Sequence, residues 1–217
     1  MITDQEFSLA TQEFDKTEKR GSFYNTSVDL FDNGFEIESY ILLLATWNFA
    51  AFRYAVKDFD IYGFRNTIGE LNPCFDRMKN QCFKEIDFDG YKEDIKKIYA
   101  TLSQIKGIKY TGASKVAHLK NREVFVMWDR YISGQESEKY YKELQIVRNN
   151  CWKYKRYKTD AEGYFQFLKD MQDMFGNIKF QHSKKTFAKA IDEFNFVNIT
   201  LPIREMIKQE EKKKGSR

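Results

Sequence analysis

Only Pro73 and Pro202 interrupt a chain of 217 residues. Proline is the residue that helix interiors exclude, because it lacks an N–H and its ring clashes with the preceding turn, so long helices are permitted nearly everywhere. Apolar residues spaced by three and four then favour helix over strand. The best-marked case is residues 36–56, where Ile37, Tyr40, Ile41, Leu44, Ala45 and Asn48 recur along one stripe. Leu42, Leu43, Trp47 and Phe49 widen that stripe until it runs nearly all round. A helix so apolar belongs at the middle of its domain, and Asn48 and Arg53 on it need polar partners.

The same spacing predicts helices over residues 4–19, 61–68, 72–88, 91–105, 137–147, 160–175 and 184–194. Residues 21–34 read as a connection with a short extended piece around Phe31, and Asn72 and Pro73 mark a turn. The fold class expected is all-α: a single globular α-helical unit over 1–208, with a charged, flexible tail over 209–217. With 42% apolar and 17% aromatic residues the chain can bury a sizeable core. No run approaches the roughly 20 apolar residues of a membrane span, and the first residues, MITDQEFSLATQEF, lack the basic-then-apolar order of a signal peptide. A cytoplasmic, monomeric protein with no membrane association is expected.

Cys74, Cys82 and Cys151 are odd in number and contain no CxxC pair, which points neither to a disulfide framework nor to zinc. With His118 and His182 as the only imidazoles, no metal-ligand spacing is present, and no metal is expected. The charge is unevenly spread. Residues 1–60 hold 11 Asp/Glu against 5 Lys/Arg while the whole chain carries +4, so the remainder carries about +10. Such a distribution suits a protein that turns its later part toward a polyanion. Within that part, residues 149–158 (NNCWKYKRYK) interleave Lys153, Lys155, Arg156 and Lys158 with Trp152, Tyr154 and Tyr157. Cations beside aromatic faces fit a nucleic-acid backbone with bases to stack on, or a solvated face whose rings pack inward.

Residues 105–132, IKGIKYTGASKVAHLKNREVFVMWDRYI, hold a glycine turn, a lysine, an apolar run and then an aspartate. Gly107 and Gly112 allow backbone conformations that a Cβ would forbid, and Thr111 or Ser114 can accept from free amides at a helix start. With the second helix expected over 114–122, Lys115 falls in its first turn, where the helix dipole disfavours a cation. A helix, a glycine turn and a second helix form the hairpin with which several DNA-binding proteins grip phosphates through main-chain amides.

Gly-Ala-Ser-Lys-Val-Ala, followed after an apolar run by Asp129, resembles the helix-hairpin-helix base-excision glycosylases, the superfamily of endonuclease III and the oxoguanine glycosylases. The archaeal oxoguanine glycosylases, whose hairpin also departs from the usual one, look the closer variant. The family's Gly-x-Gly is Gly107-Ile108-Lys109 here, and its proline-containing loop before the aspartate is replaced by residues 123–128. The resemblance covers about half of the chain, residues 36–132. It implies a two-lobed helical fold with the hairpin and a catalytic cleft between the lobes. It also implies excision of a damaged base, an oxidised purine by analogy, flipped from double-stranded DNA.

Carried over residue by residue, Lys115 becomes the nucleophile that forms a Schiff base, with AP-lyase activity, and Asp129 the carboxylate that stabilises the developing charge. Trp47, Asn48, Phe52, Trp128 and Trp152 become base-pocket candidates. Gly107, Lys109, Tyr110, Thr111, Gly112, Ser114, Arg130, Lys153, Lys155 and Arg156 become contacts to the DNA backbone. No iron–sulfur cluster is implied, since its four cysteines are missing; a monovalent cation at the hairpin is compatible. Two other readings stand beside this one, a non-catalytic hairpin DNA-binding protein and a helical protein-interaction module. Lys115 and Asp129 would then be a salt bridge or a helix cap.

Overall fold

The computed structural model describes residues 2–147 and 155–215, and all regular structure among them is helical. In order these are α1 (Asp4–Thr17), α2 (Gly21–Asp32), α3 (Glu36–Trp47), α4 (Phe49–Phe52), α5 (Ile61–Arg77) and α6 (Lys92–Gln104). There follow α7 (Lys109–Lys120), α8 (Glu138–Val147), α9 (Ala161–Phe175), α10 (Phe187–Asn195) and α11 (Leu201–Gly215). Side-chain caps mark several starts: Thr3 and Glu6 form a reciprocal capping box on α1, and Asp60, Asp160 and Thr186 each accept from an amide of the first turn. No described helix is long and apolar enough to cross a membrane.

Where the helices depart from the periodicity, packing or a competing polar contact decides. Residues 21–34, expected as a connection, form α2. Asn25, Thr26 and Ser27 are poor helix formers, but Tyr24 is buried and Phe31 meets Tyr40 at 5.9 Å, so packing against α3 overrides propensity. The long helix over 36–56 breaks at Asn48, whose backbone leaves the helical region (φ −124°, ψ 23°) and whose side chain is drawn to another element. Pro73 makes no turn. The apolar stripe Phe64, Ile68, Leu71, Cys74 and Phe75 continues across it, so α5 carries the proline on its exposed side and ends at Arg77. No helix then forms over 78–88, where Phe83, Ile86 and Phe88 are buried from turns and Phe83 N–H donates to Glu123 O at 2.8 Å. The charged tail is helical to Gly215. Glu210 pairs with Lys139 and Tyr140, and Met206 and Ile207 pack on a small cluster of Tyr140, Tyr141, Leu144, Ile199 and Ile203 between α8 and α11.

The main core gathers α1, α3, α5, α6, α7, α9 and α10. Through its centre runs a non-helical segment, residues 124–128 (VFVMW), each at most 1% exposed and none paired with a strand. Trp128 at its end lies among Tyr99, Tyr164 and Phe167, with ring centroids 5.1 to 5.9 Å away.

α6 and α7 form a helical hairpin whose turn has two residues with positive φ, Gly107 (+88°) and Lys109 (+52°). A Cβ on Gly107 would lie 2.4 Å from Ala55 Cβ. Gly107→Ala is therefore expected to lower stability by more than about 1 kcal/mol, from strain and collision together. Lys109→Gly is expected to raise it by about 1 kcal/mol by relieving the left-handed conformation. Urea midpoints of both variants check the opposite signs.

Candidate functional site

The hairpin turn is held from below by Asn48. Its Nδ2 donates to Gly107 O (3.1 Å) and Ile108 O (2.9 Å), and its Oδ1 accepts from Thr111 Oγ1 (2.6 Å). Asn48 is 6% exposed, so it is a buried clamp on the turn and not the wall of a base pocket. Along the turn φ alternates in sign, Gly107 positive, Ile108 −85°, and Lys109, the first residue of α7, positive. Alternation between left- and right-handed residues turns successive N–H groups toward one point, an anion-binding nest. The amides of Tyr110 and Thr111, next in line, donate to no group among the described residues. Lys109 and Lys106 are exposed beside the turn, and Lys106 pairs with Asp58 at 3.4 Å. Phe49, Arg53 and Tyr54 lie exposed on the segment against which Gly107 packs, with Arg53 stacked 4.5 Å from the Tyr54 ring centre.

α7 starts at Lys109, five residues before the expected Ser114. Gly112 and Ser114 are consequently buried inside a helix and not in the turn, and Lys115 is its seventh residue, beyond reach of the first-turn dipole. Lys115 is 4% exposed, and its Nζ donates to Thr111 O (3.2 Å) and Trp128 O (3.1 Å). Burial lowers the pKa of its amine from the ordinary 10.5 to about 8, against the opposing pull of Asp129 and Asp192. His118, one turn on, presents Nδ1 to Phe125 O (2.6 Å) and Nε2 to the Tyr24 hydroxyl (2.8 Å), and burial depresses its pKa to about 3. The ring is therefore neutral, donating at Nδ1 and accepting from Tyr24, a structural role.

Asp129 is half-buried. Its Oδ1 accepts from the amides of Tyr131 (2.8 Å) and Ile132 (2.9 Å), and its Oδ2 from Thr200 Oγ1 (2.9 Å). The residues it caps, 130–134, form a turn. Thr200 ends a π-helical segment, Phe196–Thr200, between α10 and α11, a distortion often found at functional sites.

The remaining expected residues divide. Trp128 and Phe52 are core, 1% and 2% exposed. Trp47 is partly buried, with its indole N–H on Arg20 O at 3.3 Å. Tyr110 is half-buried, and its carbonyl accepts from Tyr99 and from the Trp128 indole. Arg130 pairs with Glu136, Lys155 with Asp170, and Arg156 is exposed. Tyr157 N–H donates to Ser133 O at 3.1 Å, which seats residues 155–157 beside the Asp129 turn. Trp152 and Lys153 lie outside the described residues. Among the described residues no group of His, Cys, Asp and Glu could hold a metal ion.

The periodicity gave no notice of the cations from the flanking helices. Lys189 is fully buried between Asp192 (2.8 Å) and Glu193 (3.3 Å). Its burial opposes the charge, and the two carboxylates more than offset it, so its pKa is raised. The i, i+3, i+4 spacing of KAIDE was the available signal. Arg20, chelated by Glu18, and Arg204 act with Asp129 and Asp192 on Lys115.

Compared with models of known protein families, with characterised proteins and with solved structures, the chain shows no match.

Lys115 yields a pH test. With the folded pKa near 8 and the unfolded near 10.5, the unfolded chain binds more protons in that window. Stability therefore rises from pH 8 to 10.5, and below pH 8 the buried ammonium costs on the order of 3 kcal/mol. In Lys115→Met neither carbonyl is stranded, because Ser114 Oγ lies 3.3 Å from Trp128 O and Thr111 O stays in the α7 ladder. Lys115→Met is expected to be more stable at pH 7 and to lose the alkaline rise. Urea denaturation between pH 6 and 11 checks both, and a variant with an unaltered alkaline rise would contradict the assignment.

Proposed function

We propose that the chain is a helix-hairpin-helix protein that binds double-stranded DNA through the α6–α7 turn, with DNA carrying a damaged base as its substrate. One observation carries this reading: Lys109 adopts φ +52° at the position where the family's Gly-x-Gly has its second glycine. A lysine held in a glycine conformation incurs strain, and what the strain maintains is the nest and two amides with no acceptor among the described residues, beside an exposed cation. Phosphate would accept from Tyr110 and Thr111 N–H, and Lys109 would neutralise it. Phe49, Arg53 and Tyr54 flank the turn and offer faces for bases displaced from the stack. In this reading the helices form two lobes, with the hairpin and the Asp129 turn at the cleft.

Base excision is the second reading, and the geometry of Asp129 favours it. Three hydrogen bonds fix the carboxylate, and it is half-exposed, as needed to stabilise positive charge on a deoxyribose while the base leaves. For Lys115 the properties divide. Its lowered pKa supplies neutral amine, which a Schiff base requires, yet its amine is bound to two carbonyls and shut from solvent. Monofunctional excision, with Asp129 active and Lys115 structural, therefore fits better than a lyase.

Lys109→Glu is expected to weaken duplex binding about tenfold or more at 100 mM salt without lowering the melting temperature, since the side chain is exposed. Fluorescence anisotropy on a 20-base-pair duplex reads the first effect and calorimetry the second. Equal affinities of variant and wild type would sink the hairpin proposal. On duplexes with oxidised, alkylated or deaminated bases, Asp129→Asn should abolish base release while retaining affinity, and borohydride should trap no adduct. An adduct lost in Lys115→Ala would restore the lyase.

A further inference from the structure

α11 lies outside the segment that resembles the glycosylases, yet it reaches the Asp129 turn. Thr200, immediately before it, donates to Asp129 Oδ2 at 2.9 Å. Arg204 follows four residues later, on the same helix face as Thr200. Its guanidinium carbon lies 5.4 Å from the ring centre of Tyr131, two residues after Asp129, and 5.5 Å from that of Phe196 in the π-helical segment. Two rings thus set the direction of the planar group before any ligand arrives, which reduces the entropy lost on binding.

The neighbouring cations differ from it in one respect. Arg20 is chelated by Glu18, Arg130 pairs with Glu136, Lys139 with Glu210, Lys155 with Asp170 and Lys189 with Asp192. Arg204 has no carboxylate within 4 Å among the described residues, although it is half-buried. Glu18 feels its charge, but both oxygens of Glu18 are taken by Arg20. A half-buried guanidinium, stacked and without a carboxylate partner among the described residues, offers its donors to a planar or tetrahedral oxyanion.

We infer that Arg204 is an anion-binding residue of the cleft, taking a DNA phosphodiester next to the nucleotide that faces Asp129. This rests on the DNA-binding reading above and extends it. The hairpin holds one stretch of backbone, and the C-terminal helix holds a second, on the far side of the Asp129 turn. The two contacts fix the strand at both ends of the reacting nucleotide, so that the sugar, and not merely the duplex, is positioned.

The test is the salt dependence of duplex affinity. Arg204→Met keeps a stem to pack on Tyr131 and Phe196 and removes the charge; Arg204→Lys keeps the charge and loses the fork. The exposed Lys97 on α6, changed to Gln, removes one charge elsewhere. Arg204→Met is expected to weaken binding about tenfold at 100 mM salt and to reduce the slope of log K against log salt by about 0.9, the value of one phosphate contact. Arg204→Lys should keep the wild-type slope with weaker binding, and Lys97→Gln should change neither. An Arg204→Met slope equal to that of Lys97→Gln overturns the inference and leaves the hairpin reading intact. A wild-type protein that binds no duplex overturns both.

Discussion

Five consecutive residues, 124–128, cross the core outside any helix and without a partner strand, and every polar group of their backbone must be met by something else. The amides of Val124 and Phe125 donate to Asn121 O (3.3 and 3.2 Å), and the other partners are side chains. His118 meets Phe125 O, the Tyr164 hydroxyl meets Val126 O (2.8 Å), Lys115 meets Trp128 O, and Ser114 Oγ accepts from Trp128 N–H (3.2 Å). Three of these four come from α7 at positions 114, 115 and 118, which explains why that helix is buried over residues 112–119 and carries polar groups in its buried part. The hairpin's second helix is thus anchored to the core by the same contacts that make the buried non-helical segment possible. The segment then delivers Asp129 to the surface directly after Trp128.

Two polar clamps follow from this anchoring. Asn48 ends α3 in order to hold Gly107 O and Ile108 O, so the break in the central helix and the shape of the turn are one event. Thr200 holds Asp129 from the opposite side, through the π-helical segment. Between them lies a set of buried charges whose balance is local: Lys189 has two carboxylates within 3.3 Å, whereas Lys115 has only carbonyls and lowers its pKa instead. The same residue type serves in one place as a charged partner and in the other as a donor to backbone.

The all-helical class was legible in the scarcity of proline and in the spacing of residues 36–47, 92–104 and 161–175. Helix ends were legible where a side chain caps them, as at Asp160. What could not be read was decided by packing or by contacts distant in sequence. Gly21–Asp32 is helical only because Tyr24 and Phe31 have a neighbour in α3. Pro73 sits where a proline costs little, on the exposed side of an otherwise continuous stripe. In the site, the need of Asn48 for a partner was apparent from its place on an apolar helix. That the partner is the hairpin was not, since 60 residues separate Asn48 from Ile108. Lys115 stood out for the wrong reason: the oddity is its burial, not its place against a dipole.

Lys109 is where sequence and structure join. Its backbone takes a left-handed conformation that ordinarily belongs to glycine, and the amides after it have no acceptor among the described residues. The most direct measurement is an amide-resolved NMR titration of the labelled protein with a short duplex at low salt. Tyr110 and Thr111 N–H should move earliest and farthest downfield, as amides gaining a phosphate acceptor do, with Lys109 close behind. Duplex binding that moves amides elsewhere and leaves Tyr110 and Thr111 in place would contradict a phosphate-gripping turn.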